Sequence, residues 1–249
     1  MSTLPYLIDF EKLNKDKQAE PMLEFLATDI NTLNDRTEFQ EVNKMITDYQ
    51  ESKWDLIFIR EICGYPFVIS FSERQDSLPL WLTYASNGKG ICLKFDKSEI
   101  RNHFKPKEKE DYVLSDTGNC HYLETPEFKL LKQNIKSLYS NYNNDVFRYN
   151  YSLFNKFFLQ AAFLKNKAYS YENEWRVVIL GKDYLFRPKL DNFTTCAKVQ
   201  IPLKCLKGIR LGPCTTDYDK RTIEKWRRMY ERTLSTDLQI THSKLPYRN

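Results

Sequence analysis

Residues 171–180 read Tyr-Glu-Asn-Glu-Trp-Arg-Val-Val-Ile-Leu. The run Val177-Val178-Ile179-Leu180 is strongly β-prone and predicts a buried strand. Two carboxylates sit at its mouth. On a strand, residues i and i+2 point to one face, so Glu172 and Glu174 are expected to project together, beside an aromatic and a cation. Like charges on one buried face are costly to desolvate without partners. The segment is therefore a candidate site. The structural alternative is a strand edge whose glutamates are solvated or paired with Arg176.

Size and composition set the frame around that strand. A chain of 249 residues suits one large domain, or one core with a sizeable insertion. With 41 % apolar residues, 16 Tyr, 16 Phe and only 7 Gly, a packed core is expected and disorder is not. The net charge of +5 permits a polyanionic partner without demanding one. The mixed-sign run Lys105-Pro106-Lys107-Glu108-Lys109-Glu110 reads as a solvated loop rather than a nucleic-acid arm. The 6 Cys form no Cys-x-x-Cys pair and the 3 His are scattered, so thiols in a reducing compartment are expected and no metal. No basic start followed by an apolar core marks a signal peptide, and no apolar run reaches the length of a membrane span. A soluble, cytoplasmic protein that does not engage membranes is expected.

Along the chain, strands are predicted over Leu23–Ala27, Phe67–Ser72, Ile91–Asp96, Lys198–Leu203 and Gly208–Pro213, with a further one near Tyr112–Leu114. A polar turn region covers residues 28–38, and a helix follows over about 38–52. A short helix is expected within Asp76–Ala85, capped by Asp76 or Ser77 with Pro79 in its first turn. Helical patterning runs over about 126–167, where Phe154, Phe157, Phe158, Ala161, Ala162 and Lys165 recur at helical spacing as a core stripe. A helix rich in Lys and Arg covers Thr216–Ser235. This order lacks regular β-α alternation. It predicts an α+β fold with a mixed, mostly antiparallel sheet core, a single domain over 1–249, and a charged and helical insertion over 97–165.

Several spaced pieces resemble the motifs of one bacterial family, DUF2971. They are Leu33-Asn34-Asp35-Arg36-Thr37-Glu38-Phe39, Ser70-Phe71-Ser72-Glu73, Leu80-Trp81-Leu82-Thr83-Tyr84-Ala85 and Asn87-Gly88-Lys89-Gly90 running through Asp96. Tyr171-Glu172-Asn173-Glu174-Trp175-Arg176 and Ile209-Arg210-Leu211-Gly212-Pro213 complete the set. The plan is similar to that of ADP-ribosyltransferases, with a Ser-x-Ser-like middle strand at Ser70-Phe71-Ser72 and a late Glu-x-Glu strand at Glu172–Glu174. Leu4-Pro5-Tyr6-Leu7-Ile8-Asp9 stands where the early strand belongs and carries neither Arg nor His.

The resemblance implies NAD as a substrate. Cleaving the nicotinamide–ribose bond builds positive charge on the ribose, which a carboxylate stabilises. Glu174 is the candidate for that role, and Glu172 for general base toward an acceptor. Tyr6, Ser70, Ser72, Trp81, Tyr84 and Arg176 are the candidate cofactor contacts, and Asn34, Asp35 and Glu38 the candidate substrate contacts. Structural roles stand beside these. Arg176 would neutralise the glutamates, Trp175, Trp81 and Tyr84 would pack, and the Asn34–Glu38 loop would cap a helix. Three functions follow as expectations. The first is an ADP-ribosyltransferase acting on a protein or nucleic acid, as a toxin or phage-defence effector. The second, favoured by the missing early Arg or His, is a degenerate module that binds a nucleotide or nucleic acid without turnover. The third is an Mg²⁺-dependent nucleic-acid enzyme using Asp35, Glu38, Glu172 and Glu174.

Overall fold

The computed structural model describes residues 22–30, 65–105, 115–122, 159–181, 185–189, 192–234 and 238–247, with Pro126, Lys129, Leu130 and Gln133 besides. The expected strand near residue 112 and helix over 38–52 lie outside them, as does most of the helical patterning over 126–167. The chain divides into two compact units, one of residues 26–73 and 104–198, the other of residues 1–25, 74–103 and 199–249. The architecture is α+β with a mostly antiparallel sheet core.

The first unit carries most of a six-stranded sheet. Its strands are β1 (Met22–Asp29), β2 (Tyr65–Ser72), β4 (Ser115–Asn119), β7 (Glu174–Gly181), β8 (Leu185–Lys189) and β9 (Asn192–Pro202), in the order β4-β7-β2-β1-β9-β8. Strand β7 lies inside the sheet, antiparallel to β2 on one side and to β4 on the other. Its unbroken apolar run suits a strand covered on both faces, and every residue from Glu174 to Leu180 is buried. By contrast β1 alternates, placing Leu23, Phe25, Ala27 and Asp29 inward. Buried Asp29 accepts a hydrogen bond from the Thr195 hydroxyl at 3.0 Å. Two short parallel strands, β5 (His121–Tyr122) and β6 (Leu164–Lys165), pair with each other. Strand β6 corrects the helical expectation, which ran to residue 167. Helix persists only through Ala161 before the backbone extends at Leu164, where β5 supplies the pairing that outweighs the local helical spacing.

The second unit has a three-stranded sheet, β11-β10-β3, with β3 at Ile91–Phe95, β10 at Leu206–Leu211 and β11 at Gln239–His242. Helices α1 (Leu78–Tyr84), α2 (Lys97–His103) and α3 (Asp217–Leu234) belong to it. Ser77 occupies the N-cap position of α1 but makes no side-chain cap bond, and Pro79 sits in the first turn. Asp76 is used elsewhere. Its carboxylate accepts from Trp81 Nε1 at 2.7 Å, Ser243 Oγ at 2.8 Å and the Lys244 N–H at 2.9 Å. Burial alone would raise its pKa, but these bonds and nearby Arg210 hold it below the usual carboxylate range. Helix α3 opens on a capping box, in which Asp219 Oδ2 accepts from the Thr216 N–H at 2.8 Å and the Asp219 N–H returns a bond to the Thr216 hydroxyl at 3.2 Å.

Two of the sequence motifs meet in this unit through their backbones. Gly212 N–H donates to Gly90 O at 3.0 Å, and Cys214 N–H to Gly88 O at 2.9 Å. A Cβ at position 212 would lie 2.2 Å from Gly88 O and 2.9 Å from Gly90 O. Glycine at 212 is therefore required by close backbone approach, and Gly88, at φ +83°, by its left-handed conformation. Gly212→Ala is expected to lower unfolding free energy by about 1–3 kcal/mol, read from urea denaturation midpoints. At Gly181 an added methyl meets the Phe67 ring at an ordinary 3.7 Å, so Gly181→Ala is expected to be neutral or stabilising by up to about 1 kcal/mol.

Candidate functional site

The Glu-x-Glu segment does not enter its strand as the pleat predicts. Glu172 closes a 3-10 helix, Lys167–Glu172, whose start is capped by the Asn166 side chain accepting from the Ala168 N–H at 2.9 Å. Asn173 then turns the chain through the left-handed region at φ 43°, ψ 59°, and β7 begins at Glu174. Asn is among the residues that tolerate this conformation, because its short side chain bonds locally. Here its amide donates to Glu73 Oε2 at 3.2 Å. Glu172 and Glu174 still converge, but through the turn rather than through strand alternation.

What they converge on is Lys165. Its Nζ donates to Glu172 Oε2 at 2.7 Å and also to Glu174 Oε2. The other oxygen of Glu174 accepts from Arg176 Nε at 2.6 Å, and Arg176 donates onward to Ala162 O at 2.6 Å. All four residues are between 1 % and 6 % exposed. Two cations and two anions thus form a buried, charge-balanced network within one short stretch. The backbone of Glu174 is fixed as well. Its N–H donates to the Tyr122 hydroxyl at 2.9 Å, and its carbonyl accepts from the Cys120 N–H at 2.8 Å. The Tyr169 ring lies 5.2 Å from Lys165 Nζ, within cation–π range.

Electrostatics follow from this packing. Burial pushes the Glu174 carboxyl up, but Arg176 and Lys165 outweigh it by charge and hydrogen bonding, and its pKa falls from 4.5 to about 2. Glu174 is an anion at any physiological pH. A group so depressed does not pick up or release a proton near neutrality, so it suits charge stabilisation rather than general acid–base work. Tyr122 is raised by burial, against the opposing bond from the Glu174 backbone.

Ser70 and Ser72 stand on β2 directly across from Arg176 and Glu174. The register places them on the same sheet face as those two residues, and both are exposed. Ser72 Oγ donates to Glu172 O at 2.5 Å, tying the end of β2 to the 3-10 helix. Next to it, Glu73 Oε2 accepts from both Asn119, at 3.4 Å, and Asn173. Trp175 points to the opposite face and packs its ring on Phe71 at 5.4 Å. Trp81 is buried and Tyr84 half-buried on α1, in the unit that does not hold the network. Tyr6, Asn34, Asp35 and Glu38 lie outside the described residues. Among the described residues, no group of three His, Cys, Asp or Glu is close enough to hold a metal ion. No described helix is long and apolar enough to cross a membrane. Cys92, Cys120, Cys196, Cys205 and Cys214 are thiols, outside any disulfide.

Lys165 is the functional-site residue that sequence reasoning assigned elsewhere, to a helical core stripe. The available signal was its charge. A lysine among Ala161, Ala162, Phe163 and Leu164 needs a buried anion, and the nearest acidic pair downstream is Glu172 and Glu174.

A family model described as "Protein of unknown function (DUF2971)" matches residues 80–177. Residues 80–177 are thus similar to the DUF2971 family. The DUF2971 span takes in most of α1, the Asn87–Gly90 turn, β3 and the whole charge network, while the Ser70–Glu73 and Ile209–Pro213 motifs lie beyond it. No curated protein and no solved structure matches the chain.

Within the DUF2971 span, removing one cation should expose the cost of the network. Lys165→Met leaves two buried carboxylates facing one guanidinium and is expected to cost about 3–5 kcal/mol of stability, measured by urea denaturation. Lys165→Met with Glu172→Gln is expected to recover part of that loss. The pH dependence has a definite sign. The Glu174 contribution is fully present above its unfolded pKa of 4.5 and is lost as pH falls toward about 2. At roughly 1.4 kcal/mol per unit, about 3 kcal/mol of stability disappears over that window. Glu174→Gln should flatten the stability profile there.

Proposed function

We propose that this protein is a nucleotide-binding module with an ADP-ribosyltransferase-like plan, in which the Glu-x-Glu pair has become structural and NAD is held without turnover. The reading is carried by one observation, the engagement of both Glu174 carboxylate oxygens by buried cations. A carboxylate that must stabilise a ribosyl cation needs an oxygen facing the cleft. Ser70, exposed and in register with Arg176, supplies a hydroxyl for phosphate or ribose oxygens, while Ser72, whose proton is held by Glu172 O, offers its oxygen to a ribose hydroxyl. No membrane partner and a cytoplasmic setting belong to the same proposal.

A second reading keeps the activity, and the permanent ionisation of Glu174 favours it. In that reading the bond between ribose C1′ and the nicotinamide nitrogen breaks, and nicotinamide leaves with the electron pair. Glu174 stabilises the resulting oxocarbenium ion. A nucleophile on a protein or nucleic-acid acceptor then bonds to C1′ and gives its proton to Glu172. A toxin or phage-defence role would follow from such an acceptor.

Incubation with labelled NAD and cell lysate, alongside calorimetric titration with NAD, separates the two. The expected result is binding with neither nicotinamide release nor label transfer. Ser70→Ala with Ser72→Ala is expected to weaken binding by about tenfold, roughly 1.4 kcal/mol, without loss of fold. Label transfer that disappears in a folded Glu174→Gln variant would overturn the module in favour of the transferase. Absence of NAD binding would overturn both.

A further inference from the structure

Helix α3 presents a cationic face that the functional reading above does not use. Tyr218, Arg221, Lys225 and Arg228 follow one another at spacings of three, four and three residues, which places them on one side of the helix. Lys220 lies farther round the helix, about 80° from Arg228. All five residues are exposed, Tyr218 at 72 %. At 1.5 Å per residue the stripe runs about 15 Å along the axis.

Three of the four acidic residues of α3 are engaged locally, and Asp217, one turn before Arg221, is exposed beside the stripe. Asp219 closes the capping box with Thr216. Asp217 sits in the first turn, where it offsets the helix dipole. Glu224 pairs with Arg227 at 3.1 Å, and Glu231 lies 3.7 Å from the same guanidinium. Arg227 thus absorbs both glutamates. Among the described residues, Lys220, Arg221, Lys225 and Arg228 make no ion pair with an acidic side chain. Arg221 Nε instead donates to Asp217 O at 3.3 Å. The half-buried Ile223 and Trp226 lie away from the stripe, so the basic side is the helix's outward one.

We propose that this face of α3 binds single-stranded nucleic acid. A row of exposed guanidinium and ammonium groups outside any ion pair matches a phosphodiester backbone. An exposed phenol ring at one end of the row offers a stacking surface for an unpaired base. The stripe carries no Asn or Gln, the side chains that read adenine edges in a duplex groove, so sequence-tolerant contact is expected. This inference stands on α3 alone and is independent of NAD binding at the charge network.

The test is fluorescence polarisation of the full chain with a fluorescein-labelled mixed-sequence single-stranded RNA, the matching single-stranded DNA and a duplex of the same length, across a salt series. With four cations engaged, affinity for the single strands is expected to fall about 50-fold between roughly 50 and 200 mM salt. The variant carrying Lys220→Gln, Arg221→Gln, Lys225→Gln and Arg228→Gln is expected to bind at least about tenfold more weakly and with a shallower salt slope. Tyr218→Ala is expected to weaken single-strand binding about 5- to 10-fold while leaving the salt slope unchanged. Circular dichroism confirms that both variants keep their helix content. No binding at low salt, or equal binding by the four-site variant, would overturn the proposal. Preference for the duplex, or binding indifferent to Tyr218→Ala and displaced equally by heparin, would overturn the single-strand assignment in favour of generic polyanion attraction.

Discussion

Four ionised side chains buried beside one strand are an unusual load for a sheet interior, and the unit built on β7 is organised around satisfying them. Lys165, Glu172, Glu174 and Arg176 sum to zero charge, so the network itself carries no net ion. Such a network contributes little net stability against an apolar replacement, because desolvation offsets most of the attraction. Its effect is on specificity. The strand must begin at Glu174, the 3-10 helix must end at Glu172, and Lys165 must lie extended beside both. Any other register leaves a charge buried alone.

The same constraint shapes the backbone around it. Tyr122 and Cys120 fix Glu174 from β5 and its approach, and Asn173 takes a left-handed conformation so that the glutamates on either side of it can turn toward one lysine. Ser72 and Glu73 fasten the end of β2 to this turn. In the other unit, a comparable restriction is steric. Gly88 and Gly212 let two turns approach to hydrogen-bonding distance, which ties the segment after β10 to the segment before β3.

Much of this was legible in the sequence, and the failures have identifiable causes. Strands β1, β2, β3, β7 and β10 announced themselves through β-branched and aromatic runs, helix α1 through Pro79 in its first turn, and helix α3 through its Lys- and Arg-rich run. Strand β4, Ser-Asp-Thr-Gly-Asn, has the composition of a turn and is a strand because the polar backbone of β7 needs a partner on that side. Strands β6 and β11 are short and defined by pairing rather than by pattern. The site was half visible. Glu174 and Arg176 sit together as an i, i+2 pair, as strand geometry requires. The convergence of Glu172 was right for a different reason, because Asn173 breaks the pleat. Lys165 was hidden by its apolar neighbours, since helical spacing and burial beside a counter-ion leave the same imprint on a short segment.

The compactness of the network along the chain has an evolutionary corollary. Its members fall between Lys165 and Arg176, so a single short tract carries both the ions and their counter-ions. Drift at any one of them is penalised until a second change rebalances the sum, whereas a paired loss of one lysine and one glutamate is far cheaper. Descendants of this sequence should therefore keep or discard opposite charges here in couples, even where the surrounding loops diverge freely.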